Sequence, residues 1–249
     1  MSQPIILTPR LELVPLDQSP EHRQFLLELD TDPEVMRYIA FGRPFDEKEA
    51  ELCREALLKT AEPTGFGTWV AQLRNNRSNQ TTTNKNSPKE LVGWWVLSPS
   101  ETNPEKRAEF GLRVVRQFWG QGFAKEGTLG LLRYAFESMP GLGTVYGETM
   151  TVNEGSCKTM ASCGMRFVRK YFNEYKDFTP APGIEHGEVE YAITREEWEE
   201  AQIRAAAQEH HATRIHQAKL QPKQLDSGEH RRIPMHASMP AVAVGSFSA

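Results

Sequence analysis

Two periods alternate along this chain, and the points where one gives way to the other mark its elements. Period two, apolar against polar, predicts strands at Leu11 to Leu16, Gly67 to Leu73, Glu90 to Leu97, Thr144 to Val152, Arg166 to Glu174 and Glu188 to Ile193. Period three-and-four predicts helices, whose first amides need side-chain acceptors. Ser19-Pro20-Glu21 opens a helix that turns Phe25, Leu26 and Leu29 inward, and Asp32-Pro33-Glu34 opens one with Val35, Met36 and Ile39. Capping boxes at Asp46 to Glu49 and Thr194 to Glu197 start two more, the first running through Leu57 and the second around Trp198. A short helix after Asn153 ends at Gly164 in the manner of a left-handed cap.

The periods change within a single stretch at Ala108 to Met139. It begins as a strand, with Phe110, Leu112 and Val114 on one face and Glu109, Gly111 and Arg113 on the other. It ends as a helix whose expected buried face is Leu129, Leu132, Phe136 and Met139. Between them lies Gln117-Phe118-Trp119-Gly120-Gln121-Gly122-Phe123-Ala124. Glycine at a strand-to-helix turn lets the backbone approach a ligand closely, and the helix's first amides point outward with the positive end of its dipole. That combination binds phosphate. Neither nucleotide fingerprint is complete: Lys125 stands where the dinucleotide motif needs a third glycine, and Gly-Lys-Ser/Thr is absent.

Composition narrows the reading. The 249 residues are those of an ordinary globular chain with net charge −4. No basic stripe suggests nucleic acid. No apolar run reaches the ~20 residues that span a bilayer. The first residues lack the layout of a secretory leader. Cys53, Cys157 and Cys163 are odd in number and without metal spacing, which suits a reduced, cytoplasmic chain. His210, His211 and His216 do not share a helical face, so no metal is expected. The polar run 75–89 reads as a mobile hairpin insertion and 205–249 as a disordered or loosely helical tail, leaving 1–204 as the domain.

The stretch around Gly120 resembles the acetyl-CoA loop of the GNAT N-acetyltransferases, in which Gln or Arg is followed after two residues by Gly, one residue, and Gly or Ala. Gln117, Gly120 and Gly122 match it, and Trp119 and Ala124 fit the RimJ/RimL-type branch, the ribosomal-protein N-terminal acetyltransferases. The resemblance extends from about Leu7 to Trp198. It takes in Asp32 to Ile39, Asn153-Glu154-Gly155-Ser156, Cys163 to Phe167, and Glu190 to Ile193. Met165 stands where that branch usually has phenylalanine. It implies an α/β fold with a mixed, mostly antiparallel central sheet flanked by helices, two strands of which part to admit the pantetheine arm. Backbone groups near Val114 and Val115 would pair with the arm. The amides of Gln121, Gly122, Phe123 and Ala124 would hold the diphosphate. Asn153 would contact the arm, or serve as a plain helix cap.

The reaction so implied is direct attack of an amine on acetyl-CoA, with a protein N-terminus or a small amine as acceptor and a monomer or homodimer as the working unit. Glu148 is the first candidate base and Glu109 the second; each could equally be a solvated strand carboxylate. A free Glu titrates near ~4.3, an α-amine at ~7.7–8.0 and lysine at ~10.4, so a carboxylate relays a proton from an α-amine more readily than from lysine. Where many relatives keep a tyrosine acid stands Met160, so Ser156 is the candidate donor, or else a serine bonding backbone. The alternative is an acyl-CoA-binding module without turnover. The acceptor would be framed by Met36 to Phe45 and Tyr175 to Glu188.

Overall fold

A computed structural model describes residues 3–61, 65–74, 89–175 and 179–220, with the backbone alone at 210–212 and 214–220. Residues 75–88 of the expected insertion, and the tail beyond 220, lie outside the described residues. Two compact units divide the chain at Ala205/Ala206, and the first holds every strand described below.

Eight strands form one sheet. They are β1 (Ile6–Leu7), β2 (Leu11–Pro15), β3 (Gly67–Leu73), β4 (Leu91–Pro99), β5 (Arg107–Val114), β6 (Thr144–Met150), β7 (Arg166–Tyr171) and β8 (Glu188–Thr194). Their order is β1-β2-β3-β4-β5-β6-β8-β7, and every pairing is antiparallel except β5 with β6. That pairing lasts three rungs, Arg107↔Thr144 to Glu109↔Tyr146, after which the two strands are no longer paired. Antiparallel neighbours on the outer sides continue along both strands, β4 as far as Val114 and β8 as far as Met150. A wedge therefore opens in the middle of a continuous sheet, and the backbone groups on its two inner edges have no strand to meet.

Helices α1 (Pro20–Thr31), α2 (Pro33–Met36) and α3 (Glu47–Lys59) precede β3. Their Phe25, Leu26, Leu29, Val35 and Leu57 pack with Val70 and Trp94 on one sheet face. Ser19 accepts from the His22 amide as the N-cap, and Asp46 and Glu49 exchange both bonds of the capping box. The opposite face packs against α4 (Phe123–Ser138) and α5 (Glu154–Ser162), with Trp69, Trp95, Leu97, Phe110 and Val145 in the core. Thr194 and Glu197 form the reciprocal box that opens α6 (Arg195–Leu220).

The inward face of α4 differs from the expected one. Leu129 is 40% exposed, whereas Gly127, Thr128, Leu131, Leu132, Ala135 and Phe136 are buried. The cause is close approach: a Cβ on Gly127 would lie 2.4 Å from the Trp95 ring, and Thr128 Oγ1 accepts from Trp95 Nε1 at 3.2 Å. Two small residues set the rotation of the helix, and a search for large apolar residues misses them. Arg113, expected among polar neighbours, is also buried. Its guanidinium pairs with the fully buried Asp30 of α1 and lies 5.2 Å from the Trp94 ring.

Candidate active site

The wedge, the turn that follows β5 and the face of α5 enclose a cavity of about 720 Å³. Its sequence-predicted members are Val114, Trp119, Gly120, Gly122, Phe123, Ala124 and Asn153. A 3₁₀ turn at Arg116–Phe118 brings the chain out of β5, and Gly120 (φ +73°) and Gly122 (φ +81°) carry it into α4. Both glycines are in the left-handed region that costs other residues energy. A Cβ on Gly120 would meet nothing within 4 Å, so what its absence leaves open is space on the cavity side. The amides of Gln121, Gly122, Phe123 and Ala124 donate to no described protein group, and the first helical bond is Glu126 N–H to Gly122 O at 3.0 Å. Four donors therefore stand at the positive end of a four-turn helix, three of them on residues that line the cavity, Gly122, Phe123 and Ala124.

The loop is held from behind. Arg10 lies 4.1 Å above the Phe123 ring, donates to Gln121 O at 3.0 Å and pairs with Glu126 at 2.5 Å. Gln121 Nε2 donates to Gln117 O at 2.7 Å, and Gln117 Nε2 to Glu90 Oε1 at 3.1 Å. Gln117 and Gln121 are thus fasteners of the turn, outside the cavity lining. Val115 is tied into the sheet, its amide donating to Val92 O. By alternation the peptide groups of Val114 face the wedge, and its carbonyl accepts from Trp119 Nε1 at 2.7 Å.

On the other wall Asn153 caps α5, its Oδ1 accepting from the Ser156 amide at 3.2 Å while its Nδ2 donates to Thr149 Oγ1. Cap and cavity wall are one residue. Ser156 does not line the cavity; Gly155, Lys158, Thr159 and Ser162 do. Those positions repeat at three and four, and Ser156 lies about 100° out of phase with Gly155. Met160 faces the core beneath Gly147 and Phe110. Arg37 and Tyr38, from the Met36 to Phe45 segment expected to frame the acceptor, line it too, and lysines 125 and 158 complete walls that sequence reading did not single out. Glu109 and Glu148 stand outside the lining, Glu109 on the last paired rung and Glu148 two residues beyond it. The Glu109 carboxyl is raised above the usual range, first by lost hydration and then by the Glu148 and Glu101 charges.

Among the described residues no helix is long and apolar enough to cross a membrane, and no three His, Cys, Asp or Glu side chains gather to hold a metal.

Residues 10–166 match the family model for the acetyltransferase (GNAT) domain. The chain belongs to the GNAT acetyltransferase family. A protein of Aspergillus fumigatus named FsC-acetyl coenzyme A-N(2)-transacetylase is 50% identical to this acetyltransferase over 204 residues, 79% of each chain. Among solved structures, a GNAT acetyltransferase of Bacillus anthracis superposes with a TM-score of 0.60 at 20% identity, covering 78% of this chain and 99% of its own. Spermidine N-acetyltransferase of Vibrio cholerae, in complex with CoA and spermine, gives 0.56 at 18% identity over 76% and 97%. RimL, the ribosomal L7/L12 alpha-N-protein acetyltransferase, in complex with CoA, gives 0.59 at 14% identity over 77% and 98%. The acetyltransferase thus shares their fold, with the mostly antiparallel sheet flanked by helices that its sequence implied.

Proposed function

We propose that this acetyltransferase moves the acetyl group of acetyl-CoA to an α-amine by direct attack in a ternary complex. The observation that carries the reading is the row of undonated amides at Gln121 to Ala124, set where the sheet parts. The amides suit a diphosphate. The Val114 edge suits an amide-bearing arm laid along it as a further strand. The apolar side chains Leu112, Val114 and Phe123 suit the methylenes between its amides.

The amine reaches the carbonyl carbon with its lone pair free, the C–S bond breaks, and the thiolate takes up a proton. Glu148, at the open edge of β6, takes the proton lost by the amine through a water, with Glu109 beside it. An α-amine gives that proton up more easily than lysine, by the ~2–3 units that separate their ordinary pKa values. The name of the Aspergillus relative, an acetyl coenzyme A-N(2)-transacetylase, supports transfer to a nitrogen. Ser156 remains the candidate for the acid; like Glu109 and Glu148 it stands outside the cavity lining. The RimJ/RimL-type branch, a cytoplasmic setting and a catalytic unit at 1–204 belong to the same reading.

Thiol release from acetyl-CoA, followed with α-amino acid esters, short peptides, polyamines and aminoglycosides, tests it. Release with the α-amines, and a fall at neutral pH in Glu148→Gln with CoA affinity kept, is expected. Tight CoA binding with no release from any amine would instead make the protein a binding module.

A further inference from the structure

The sheet face opposite α5 carries a charged cluster of which acetyl transfer, as described above, uses only Glu148. Register places Glu148 of β6 opposite Glu190 of β8, and Glu190 opposite Arg169 of β7. Glu190 is 3% exposed. It accepts from Arg107 Nη2 at 2.7 Å and from Arg169 Nε at 2.7 Å. The outer branch of Arg169, Nη2, stops 3.6 Å from Glu148 Oε1. One guanidinium is therefore divided between two carboxylates, closed on the buried one and short of contact with the exposed one.

We propose that Glu190 is a positioning residue for acetyl transfer, holding Arg169 so that it does not close on Glu148 as a bidentate partner. The inference rests on the reading of Glu148 as the base. A carboxylate gripped by both arms of an arginine has its oxygens committed and its proton affinity lowered, and it relays protons poorly. The strand Arg107 stands on also carries Glu109, one of the two candidate bases. Were Glu190 absent, Arg169 would be free to turn fully to Glu148.

The other groups around Glu148 do not substitute for this arrangement. Glu109 and Arg107 face it from β5, Tyr146 from its own strand, Glu188 and Glu190 from β8, and Arg169 and Tyr171 from β7; Glu101 and Tyr175 lie in the adjoining connections. The Tyr171 hydroxyl is buried, and its pKa is raised by that burial and by the Glu148 charge, so it remains protonated beside Glu148. Arg107 and Arg169 are the cations of the cluster, and Glu190 engages both.

Glutamate ¹³C-carboxyl NMR on the full-length protein, with Glu148→Gln assigning its resonance, reads the Glu148 titration without any acceptor. In Glu190→Gln the Glu148 midpoint is expected to fall by about one pH unit as Arg169 closes on it. With the α-amine that gives the fastest thiol release, the acid limb of the kcat/KM profile should move down with it. Removing a nearby negative charge would also lower the midpoint, so the double variant Glu190→Gln/Arg169→Gln decides the route. Compared with Arg169→Gln alone, it should match within about 0.3 unit if the effect passes through Arg169. An unchanged midpoint in Glu190→Gln, or the same fall with and without Arg169, overturns the proposal. Should Glu190→Gln not fold, Arg169→Lys carries the test. Lysine keeps the charge but has no second branch, so the Glu148 midpoint should rise by about half a unit, and no change overturns the proposal. Normal turnover in Glu148→Gln would refute the base itself, whatever the midpoints show.

Discussion

Replacing Gly120 by alanine separates two roles that a glycine loop combines, and Gly164 supplies the comparison. All three glycines of interest are left-handed, Gly120 at φ +73°, Gly122 at +81° and Gly164 at +87°. Alanine at any of them costs about 1–2 kcal/mol of backbone energy. For a domain near 200 residues that is about 2–8 °C in Tm. The surroundings then differ. A Cβ at Gly164 would sit 3.6 Å from Ile193 Cδ1, an ordinary contact inside the fold, whereas at Gly120 it would project into open space beside the free amides. Backbone strain is present with and without ligand, so it largely cancels from an affinity. What remains at Gly120 is a methyl group beside the amides proposed to hold the diphosphate. Loss of one charge-assisted amide bond is worth about 1.5–3 kcal/mol, or about tenfold to a hundredfold in Kd. Calorimetric titration with CoA and thermal unfolding should therefore show Gly120→Ala and Gly164→Ala equally destabilised, with the affinity loss confined to Gly120→Ala. Gly122→Ala should be destabilised as the other two are, its Cβ meeting Arg10 Nη2 at 3.5 Å on the side from which the loop is held. Equal CoA affinity in Gly120→Ala and Gly164→Ala would refute the cradle.

Asp30→Ala leaves the Arg113 guanidinium buried without its partner and should cost about 3–5 kcal/mol in urea unfolding; a loss below about 1 kcal/mol would mean that water or Cys53 replaces the carboxylate. Glu49 is held near pKa 2, first by the Arg43 guanidinium and then by the Asp46 amide. Its folded value is depressed, so its contribution is complete above pH ~4.5 and is lost as pH falls toward about 2; Glu49→Gln should flatten stability across that window, and an unchanged slope would refute the assignment. Burial pushes the Cys163 thiol up to about 11, so at pH 8 a disulfide reagent should reach it only after unfolding, and rapid labelling of Cys163 in native Cys53→Ser/Cys157→Ser protein would contradict its position.

The residues that could be placed from sequence are those whose role is set within a few positions. The caps at Ser19, Asp46 and Thr194 need only their own first turn, and Gly120 and Gly122 only a strand ending and a helix beginning. The parting of β5 and β6 is implied by the resemblance alone; alternation draws the two strands but not the length of their pairing. Partners far apart in sequence were not legible. Asp30 meets Arg113 across 83 residues, and nothing near either one announces a buried pair.

Phase explains the remaining differences, and it bears most directly on the chemistry. An Asn-x-x-Ser motif names Ser156 as readily as any neighbour, yet the cap that Asn153 forms fixes where α5 begins and so which residues turn toward the cavity. Those are Gly155, Lys158, Thr159 and Ser162, with Ser156 turned aside and Met160 sunk into the core. On strands the equivalent step is sharper, since one residue of register exchanges the two faces. Glu148, Glu190 and Arg169 share a face because β8 lies between β6 and β7, an order that the chain itself does not follow. A resemblance to a family supplies residue types at matched positions. The direction in which each side chain points depends on helix phase and strand register, and here it turns Ser156 from the cavity lining and sets Glu190 and Arg169 beside Glu148, the proposed base.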